Sequence, residues 1–491
     1  MRKVATTCLA TCMGLTIWLA SASRAEALPE WARKYKTSCV TCHEAFPSLN
    51  SVGEAFRLNG YRFPDDMYVR EEPVTLGQDA YKKVWPDAIW PSDIPAYAPL
   101  AVRIRGAANW TPYGSRPVRD SIDFFDQMSI LAGGTLGESN SFFLELAVEG
   151  SNVSFTPRVN FEALFQEDTE DGKWVNLSVG YVGDHEIDLP ELQDAQKIGP
   201  VSYLKSTWTT PVPGTITDAF GTPWSPVTTS GFVLGPQAGL MFYGYQSHFK
   251  YALGLVNGEQ GIPDRNSRKD GFFQFSYKFG GRTLDGKGPQ SPDGKNKEEL
   301  ASSPSGSWVD NSVTIGLFGY LGSGRVDAVN TVTQATESRN DHYHRGGMDV
   351  RWKIQDFTVT GGFLLGQDNN PYGVAAPGAM HSTEYMLEAK WFVHPWLIPL
   401  ARFEYLKLRV PSGVIGSDID GTSLGLVDST GYVLGKSNTI ERLVLEANIL
   451  YRANIKISPF AIIYLANNMR SRADLAAKDD TLIGIAVDFA F

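Results

Sequence analysis

Cysteine is nearly absent: the 491 residues hold four. Two of them, Cys8 and Cys12, lie in an N-terminal stretch that reads as a leader, so only Cys39 and Cys42 remain afterwards and a disulfide-stapled framework is excluded. Positive charge is short as well, 44 Lys and Arg against 54 Asp and Glu, for a net charge of −10. That balance argues against nucleic acid or an anionic membrane surface as the main partner. Long apolar runs are missing too: past the leader no stretch reaches the roughly 18 residues that a membrane-crossing helix needs.

The leader is expected over residues 1–27. Arg2 and Lys3 start it, Val4 to Ala20 is mostly apolar, and Ala25-Glu26-Ala27 has the small-x-small pattern of a signal-peptidase site.

Shortly after the leader stands Cys39-Val40-Thr41-Cys42-His43. Two thiols spaced by two residues can add to the two vinyl groups of a haem, while the adjoining imidazole binds its iron from one face. A redox Cys-x-x-Cys pair normally follows a strand and opens a helix, and nothing upstream of Cys39 reads as a strand. A structural zinc site needs four ligands, and no second cysteine pair is left once the leader is removed. The motif therefore predicts one covalent haem c held by Cys39 and Cys42, with His43 as proximal iron ligand. Export agrees with this, because bacterial haem c is attached outside the inner membrane.

Residues 28–70 read as a small helical c-type cytochrome module. Pro29 to Tyr35 can form a short helix presenting Trp31 and Tyr35. Pro47 opens a second with Leu49, Val52 and Phe56 on one face, and Asn59-Gly60 stops it. So short a segment cannot close an independent core, so the haem and neighbouring structure must complete it. Met67 is the expected sixth iron ligand, since the module holds no other methionine and no histidine besides His43. A thioether there would raise the potential. Residues 71–97, rich in proline and carrying Trp85 and Trp90, read as an extended connector packed on other structure.

The run from Leu28 to Tyr61 resembles the N-terminal cytochrome segment of the outer-membrane cytochrome-porin fusions of iron-oxidising bacteria. The likeness rests on Trp31-Ala32-Arg33, the haem motif, Pro47-x-Leu49-Asn50, Gly53 and Phe56 at helical spacing, and Asn59-Gly60-Tyr61. It implies a monohaem cytochrome fused to a barrel, passing electrons from an extracellular donor, Fe(II), to a periplasmic carrier such as a soluble cytochrome.

Residues 98–491 test that implication independently. Glycine (48 residues), aromatics at 12% and long period-two alternation are the profile of a large β protein. Sixteen candidate strands begin between Leu100 and Thr481. On one of them Met348, Val350, Trp352 and Ile354 oppose Asp349, Arg351 and Lys353; on another Tyr385, Leu387, Ala389, Trp391 and Val393 oppose Glu384, Glu388 and Lys390. Connections after even-numbered strands are short and those after odd-numbered ones mostly long, notably 183–231, 322–345 and 411–439. That is the outer-membrane pattern, with both termini in the periplasm and lipid outside the wall. The long connection 280–311 breaks the rule and puts the strand count there in question. The alternating apolar face that ends at Phe491 resembles the aromatic C-terminal insertion signal of such barrels.

The predicted architecture is thus an all-β transmembrane barrel of about 16 antiparallel strands in the outer membrane, with the cytochrome module inside its lumen. There Arg103, Arg105, Arg351, Glu388, Arg402, Glu404 and Arg442 could orient it. Asp184, His185, Glu186, Asp188, Glu191 and Asp194 read as the acidic start of the longest external loop, able to concentrate a divalent cation or simply solvated. One-electron transfer needs no general acid, base or nucleophile, so no catalytic residue is assigned. A solute-conducting porin with an appended cytochrome, or a conduit carrying electrons outward, are the competing functions.

Overall fold

The computed structural model describes residues 31, 41–45, 47–61, 100–110, 120–136, 139–150, 152–166, 172–183, 185–192, 216–217, 222–227, 235–258, 267–284, 309–375, 379–409, 437–452, 454–467 and 481–490. The leader, Cys39, Met67, the connector at 71–97, Asp184, Asp194 and Phe491 lie outside them.

Sixteen antiparallel strands form a closed wall: β1 (Leu100–Trp110), β2 (Asp120–Thr135), β3 (Asn140–Glu149), β4 (Asn152–Phe161), β5 (Asn176–Val182), β6 (Gln237–Gln246), β7 (Phe249–Val256), β8 (Asp270–Gly280), β9 (Ser312–Asn330), β10 (Thr336–Ile354), β11 (Phe357–Asp368), β12 (Met380–Trp391), β13 (Leu397–Arg409), β14 (Ser437–Arg452), β15 (Ile455–Asn467) and β16 (Thr481–Ala490). Each pairs with its neighbour in sequence, β5 pairs directly with β6 across the longest connection, and β16 pairs with β1 to close the ring. Closure leaves the wall without an unpaired edge, as hydrocarbon demands.

The burial pattern is the reverse of a soluble sheet. On β10 Asp349, Arg351 and Lys353 are buried while Val350 and Trp352 are exposed, the tryptophan to 47%. On β12 Glu384, Glu388 and Lys390 are buried, and Tyr385, Leu387 and Trp391 are exposed. Charge inside and apolar surface outside is stable only when lipid, not water, bathes the exterior. The chain is a membrane-spanning barrel of the outer-membrane type, and the short turns at 247–248, 355–356 and 392–396 mark its periplasmic end.

Two expectations about loops change. The stretch 322–345 is not a loop: β9 and β10 run 19 residues each and pair without a break from Ser312↔Lys353 to Val329↔Thr336. About 11 residues suffice to cross a membrane, so the hairpin projects beyond it. There the short strand Pro223–Pro226 pairs with β9, burying Trp224 under the Arg339 guanidinium, 4.4 Å from the ring centroid. Val326, Ala328 and Tyr343 are buried there, but Thr336 to Arg345 are otherwise polar, which is why the stretch reads as a loop. The long connection 280–311 does not upset the strand count, because Gly280 pairs directly with Ser312 across it.

The acidic start of the 183–236 connection is not an exterior loop either. His185 to Leu192 fold into the lumen, where Ile187, Leu189 and Leu192 are buried against Tyr243, Phe272, Tyr320 and Met386 of the inner wall. Room for them comes from glycines: a Cβ on Gly316 would overlap Pro190, and one on Gly362 would crowd Leu192.

Candidate functional site

The segment carrying Cys42 and His43 lies inside the barrel. His43–Ala45 pairs with Ser48–Leu49 as a small hairpin, and a helix, α1 (Ser51–Leu58), follows. The helix starts at Ser51 rather than at Pro47 because Asn50 caps it: the side-chain Oδ1 accepts from the backbone N–H of Val52 and Gly53, at 3.0 Å each. The same buried residue ties the cap to the motif. Its Nδ2 donates to the Thr41 carbonyl at 3.1 Å, and its backbone N–H donates to the Cys42 carbonyl at 3.0 Å. Gly53 is required beside this turn, since any Cβ would overlap the Cys42 carbonyl oxygen. Asn50→Ala is therefore expected to cost about 1–2 kcal/mol, read as faster hydrogen exchange of the α1 amides in the folded barrel.

The helix stops as expected at Asn59-Gly60. Gly60 is left-handed (φ 72°), and its N–H donates to Arg57 while that of Tyr61 donates to Phe56. This is the Schellman arrangement, with its usual contact between the two flanking apolar residues: the Phe56 and Tyr61 rings meet at 6.2 Å. Trp31, the described member of the first expected helix, stacks flat on Tyr61 at 4.8 Å.

Ion pairs join this plug to the wall at two points and to the inward loop at a third. Glu44, directly after His43, is clasped by two lysines, Lys353 Nζ on Oε1 at 2.8 Å and Lys390 Nζ on Oε2 at 3.0 Å. Glu54 on α1 pairs with Arg351 at 2.7 Å, and Arg351 also holds Glu191 of the inward loop at 2.9 Å. Arg57 pairs with Glu186 of that loop at 2.9 Å. Arg158 donates to the Tyr61 hydroxyl at 2.8 Å. Beneath the helix Leu58 packs on Tyr245 and Leu284, the latter from the long periplasmic connection. Lys353 and Lys390 are each one residue from the periplasmic end of their strands, and Ala45 packs with Phe392, Ile398 and Leu450 at the short turns. The plug thus sits in the lumen at its periplasmic mouth.

Burial alone would raise the Glu44 carboxyl, but Lys353 and then Lys390 overcome it and hold it at about 2. For Glu54 burial likewise opposes ionisation, and Arg351, followed by Lys250 and Lys353, keeps it well below the usual carboxylate range.

Of the seven lumen charges expected to orient the module, Arg351 does so. Arg402 pairs with Glu388 (3.3 Å) and Glu404 (2.7 Å), Arg442 pairs with Glu404, and Arg103 pairs with Asp488 (2.7 Å), all within the wall. The orienting partners absent from that expectation are Lys353, Lys390 and Arg158. The first two were legible as polar-face residues, yet Glu44 as their target was hidden behind the haem motif. In the acidic loop Glu186 and Glu191 are neutralised by Arg57 and Arg351, and among the described residues no group of three His, Cys, Asp or Glu is placed to hold a metal ion.

A haem fits the described part of the motif. His43 Nδ1 faces the carbonyls of Pro47 at 3.2 Å and Ser48 at 3.3 Å, so it must carry the proton and donate. The lone pair of the neutral ring is then on Nε2, the tautomer that an axial ligand needs. The Cys42 thiol is half-buried beside it.

No protein-family model matches the chain, and no curated protein is significantly similar to it. Solved structures with a similar shape include outer-membrane expressed OmpT of Vibrio cholerae, 11% identical with a TM-score of 0.44 over 81% of this chain and 99% of that one. OmpF of Salmonella typhi, in a complex with daunomycin, is 9% identical with a TM-score of 0.43 over 80% and 97%. The outer-membrane channel DcaP of Acinetobacter baumannii is 8% identical with a TM-score of 0.42 over 80% and 96%. Likenesses this distant carry no argument, and the fold rests on the closed strand ladder itself.

Proposed function

We propose that the chain is an outer-membrane electron-transfer protein, carrying one haem c on Cys39, Cys42 and His43 and taking electrons from an extracellular donor, Fe(II), for a periplasmic carrier. The observation that supports it most is the anchoring of the Cys42–His43 hairpin inside the barrel through the Glu44 clasp. An appendage to a conducting pore would have no need to fill the lumen. When bound, the haem would supply a one-electron acceptor whose potential is tuned by its axial ligands, His43 and, in this proposal, Met67.

The chain's own residues hold the ring. The Pro47 and Ser48 carbonyls fix the His43 tautomer, Asn50 fixes the turn, and Lys353 and Lys390 fix the hairpin against the wall. A protein carrier can approach the plug from the periplasmic mouth.

The test is anaerobic mixing of the purified, oxidised full-length protein with Fe²⁺ while the haem absorption bands are followed. Prompt reduction is expected, with none in a His43→Ala variant that still inserts, and the sixth-ligand bands should change in Met67→Ala. A haem that stays oxidised under Fe²⁺ but is reduced by another mild donor removes iron as the donor. Protein that matures without covalent haem sinks the electron-transfer reading.

A further inference from the structure

The outward face of the wall changes character part-way up β10 to β13. For most of the crossing the residues that point away from the lumen are apolar: Trp352 and Val350 on β10, Phe363 and Leu365 on β11, Leu387 and Tyr385 on β12. Then they turn polar together. His344, Gln367, His381 and Arg409 stand side by side on β10, β11, β12 and β13, each directly opposite the next. From Ile354 to His344, from Phe357 to Gln367 and from Trp391 to His381, a strand tilted by about 40° rises roughly 25 Å. That is the height of the hydrocarbon band, so this row begins the headgroup layer of the outer leaflet.

The charge gathered there is positive. Arg409 is exposed, and Lys407, the outward residue before it on β13, is half-buried. The next outward residue on β10, His342, accepts at Nε2 from Arg268 Nη1 at 3.2 Å, and Lys269 is exposed beside Arg268. Among the described residues the side chains of His344, His381, Lys407 and Arg409 have no hydrogen-bond or ion-pair partner. Two acids border the patch: Asp327, engaged by Arg325 and Ser338, and Glu441, opposite Tyr405 on β14. Water would hydrate charge of either sign at this depth, yet in a chain of net charge −10 the cations collect in this sector. From β14 round to β7 the described outward residues of the outer half include no lysine or arginine, and Val153, Phe155, Leu255 and Leu465 are exposed there instead. Positive charge on the lipid-facing side at headgroup depth fits phosphate. The Arg409 fork can hold two phosphate oxygens, Lys407 adds a point charge, and the imidazoles donate N–H bonds. The outer leaflet of an outer membrane offers such phosphates on its glycolipid.

We propose that the outward patch of Arg409, Lys407, His381, His344 and Arg268 binds the phosphate groups of a phosphorylated glycolipid of the outer leaflet, lipid A. The experiment titrates the full-length protein in detergent with diphosphoryl lipid A and follows the complex by native mass spectrometry. The wild type should bind lipid A, and the same lipid stripped of its phosphates should not compete. Lys407→Ala combined with Arg409→Ala should weaken binding about tenfold. Arg452→Ala, which removes an exposed cation at the short-turn rim, should leave it unchanged, and heat-modifiable gel mobility confirms that each variant is folded. Equal binding of phosphate-free lipid A, binding unchanged in the double variant, an equal loss in Arg452→Ala, or displacement of the lipid by inorganic phosphate at the same concentration would each overturn the proposal. So would an oligomer of the chain that covers this face and dissociates in the double variant.

Discussion

Glu44→Ala is expected to release the plug from the periplasmic mouth and to turn a closed barrel into a conducting one. The carboxylate sits between Lys353 and Lys390 with essentially no solvent contact, and the two lysines are themselves almost fully buried. Removing it leaves two ammonium groups inside the lumen without their hydrogen-bonded carboxylate, a defect of about 3–5 kcal/mol for a broken buried pair. The loss falls on plug docking, not on the wall, because the strand ladder on either side of both lysines is unaffected. Planar-bilayer conductance and protease cleavage of the N-terminal segment should rise together, while heat-modifiable mobility of the barrel stays the same. A variant that remains closed and protected shows that the clasp does not hold the plug.

The clasp also has a defined pH range. Glu44 titrates at about 2 in the folded protein against 4.5 for an ordinary glutamate. Its contribution is therefore complete above about pH 4.5 and lost as pH falls through about 2. The depression corresponds to about 3 kcal/mol. Conductance of the wild type should stay low on acidification to about pH 3 and rise only below it.

Much of this architecture can be read from local pattern, because a barrel wall repeats every two residues. The opposition of Val350 and Trp352 to Arg351 and Lys353 needs no knowledge of neighbours, and fifteen of the sixteen strands begin close to where alternation places them. β10 starts earlier, at Thr336 instead of near Gly347, because Thr336 to Arg345 are polar but for Tyr343 and so show no apolar alternation, although Asp341, Tyr343 and Arg345 are buried on the inner face. The Asn59-Gly60 stop was legible for a related reason: one glycine at positive φ ends the helix within the same few residues. The inward loop was not. A run of acids reads as solvated surface, and only its pairing with Arg57 and Arg351, more than a hundred residues away in the chain, reveals a buried role. Cys39 and Met67, on which the haem and its sixth ligand depend, lie outside the described residues, so those two assignments still rest on the sequence.

Arg351→Met should have the second large effect, because this side chain joins three parts of the molecule. From β10 it reaches Glu54 of the plug with one terminal nitrogen and Glu191 of the inward loop with the other. Both carboxylates are buried, and both are held ionised first of all by Arg351 against the cost of burial, with Lys250 next. Glu54 and Glu191 also repel each other, so without the guanidinium Lys250, with Lys353 on the Glu54 side, must hold both acids against that repulsion and against burial. One of them then takes up a proton on folding at neutral pH. The loss should again approach about 3–5 kcal/mol, but its signature differs from that of Glu44→Ala. Conductance of Arg351→Met should fall back towards the wild-type level as pH drops and the orphaned carboxyl is neutralised, whereas acidification cannot repair the orphaned lysines of Glu44→Ala. Glu54→Gln combined with Glu191→Gln in the Arg351→Met background should restore closure at neutral pH. If the triple variant leaks as much as Arg351→Met alone, the arginine acts by filling space and not by charge.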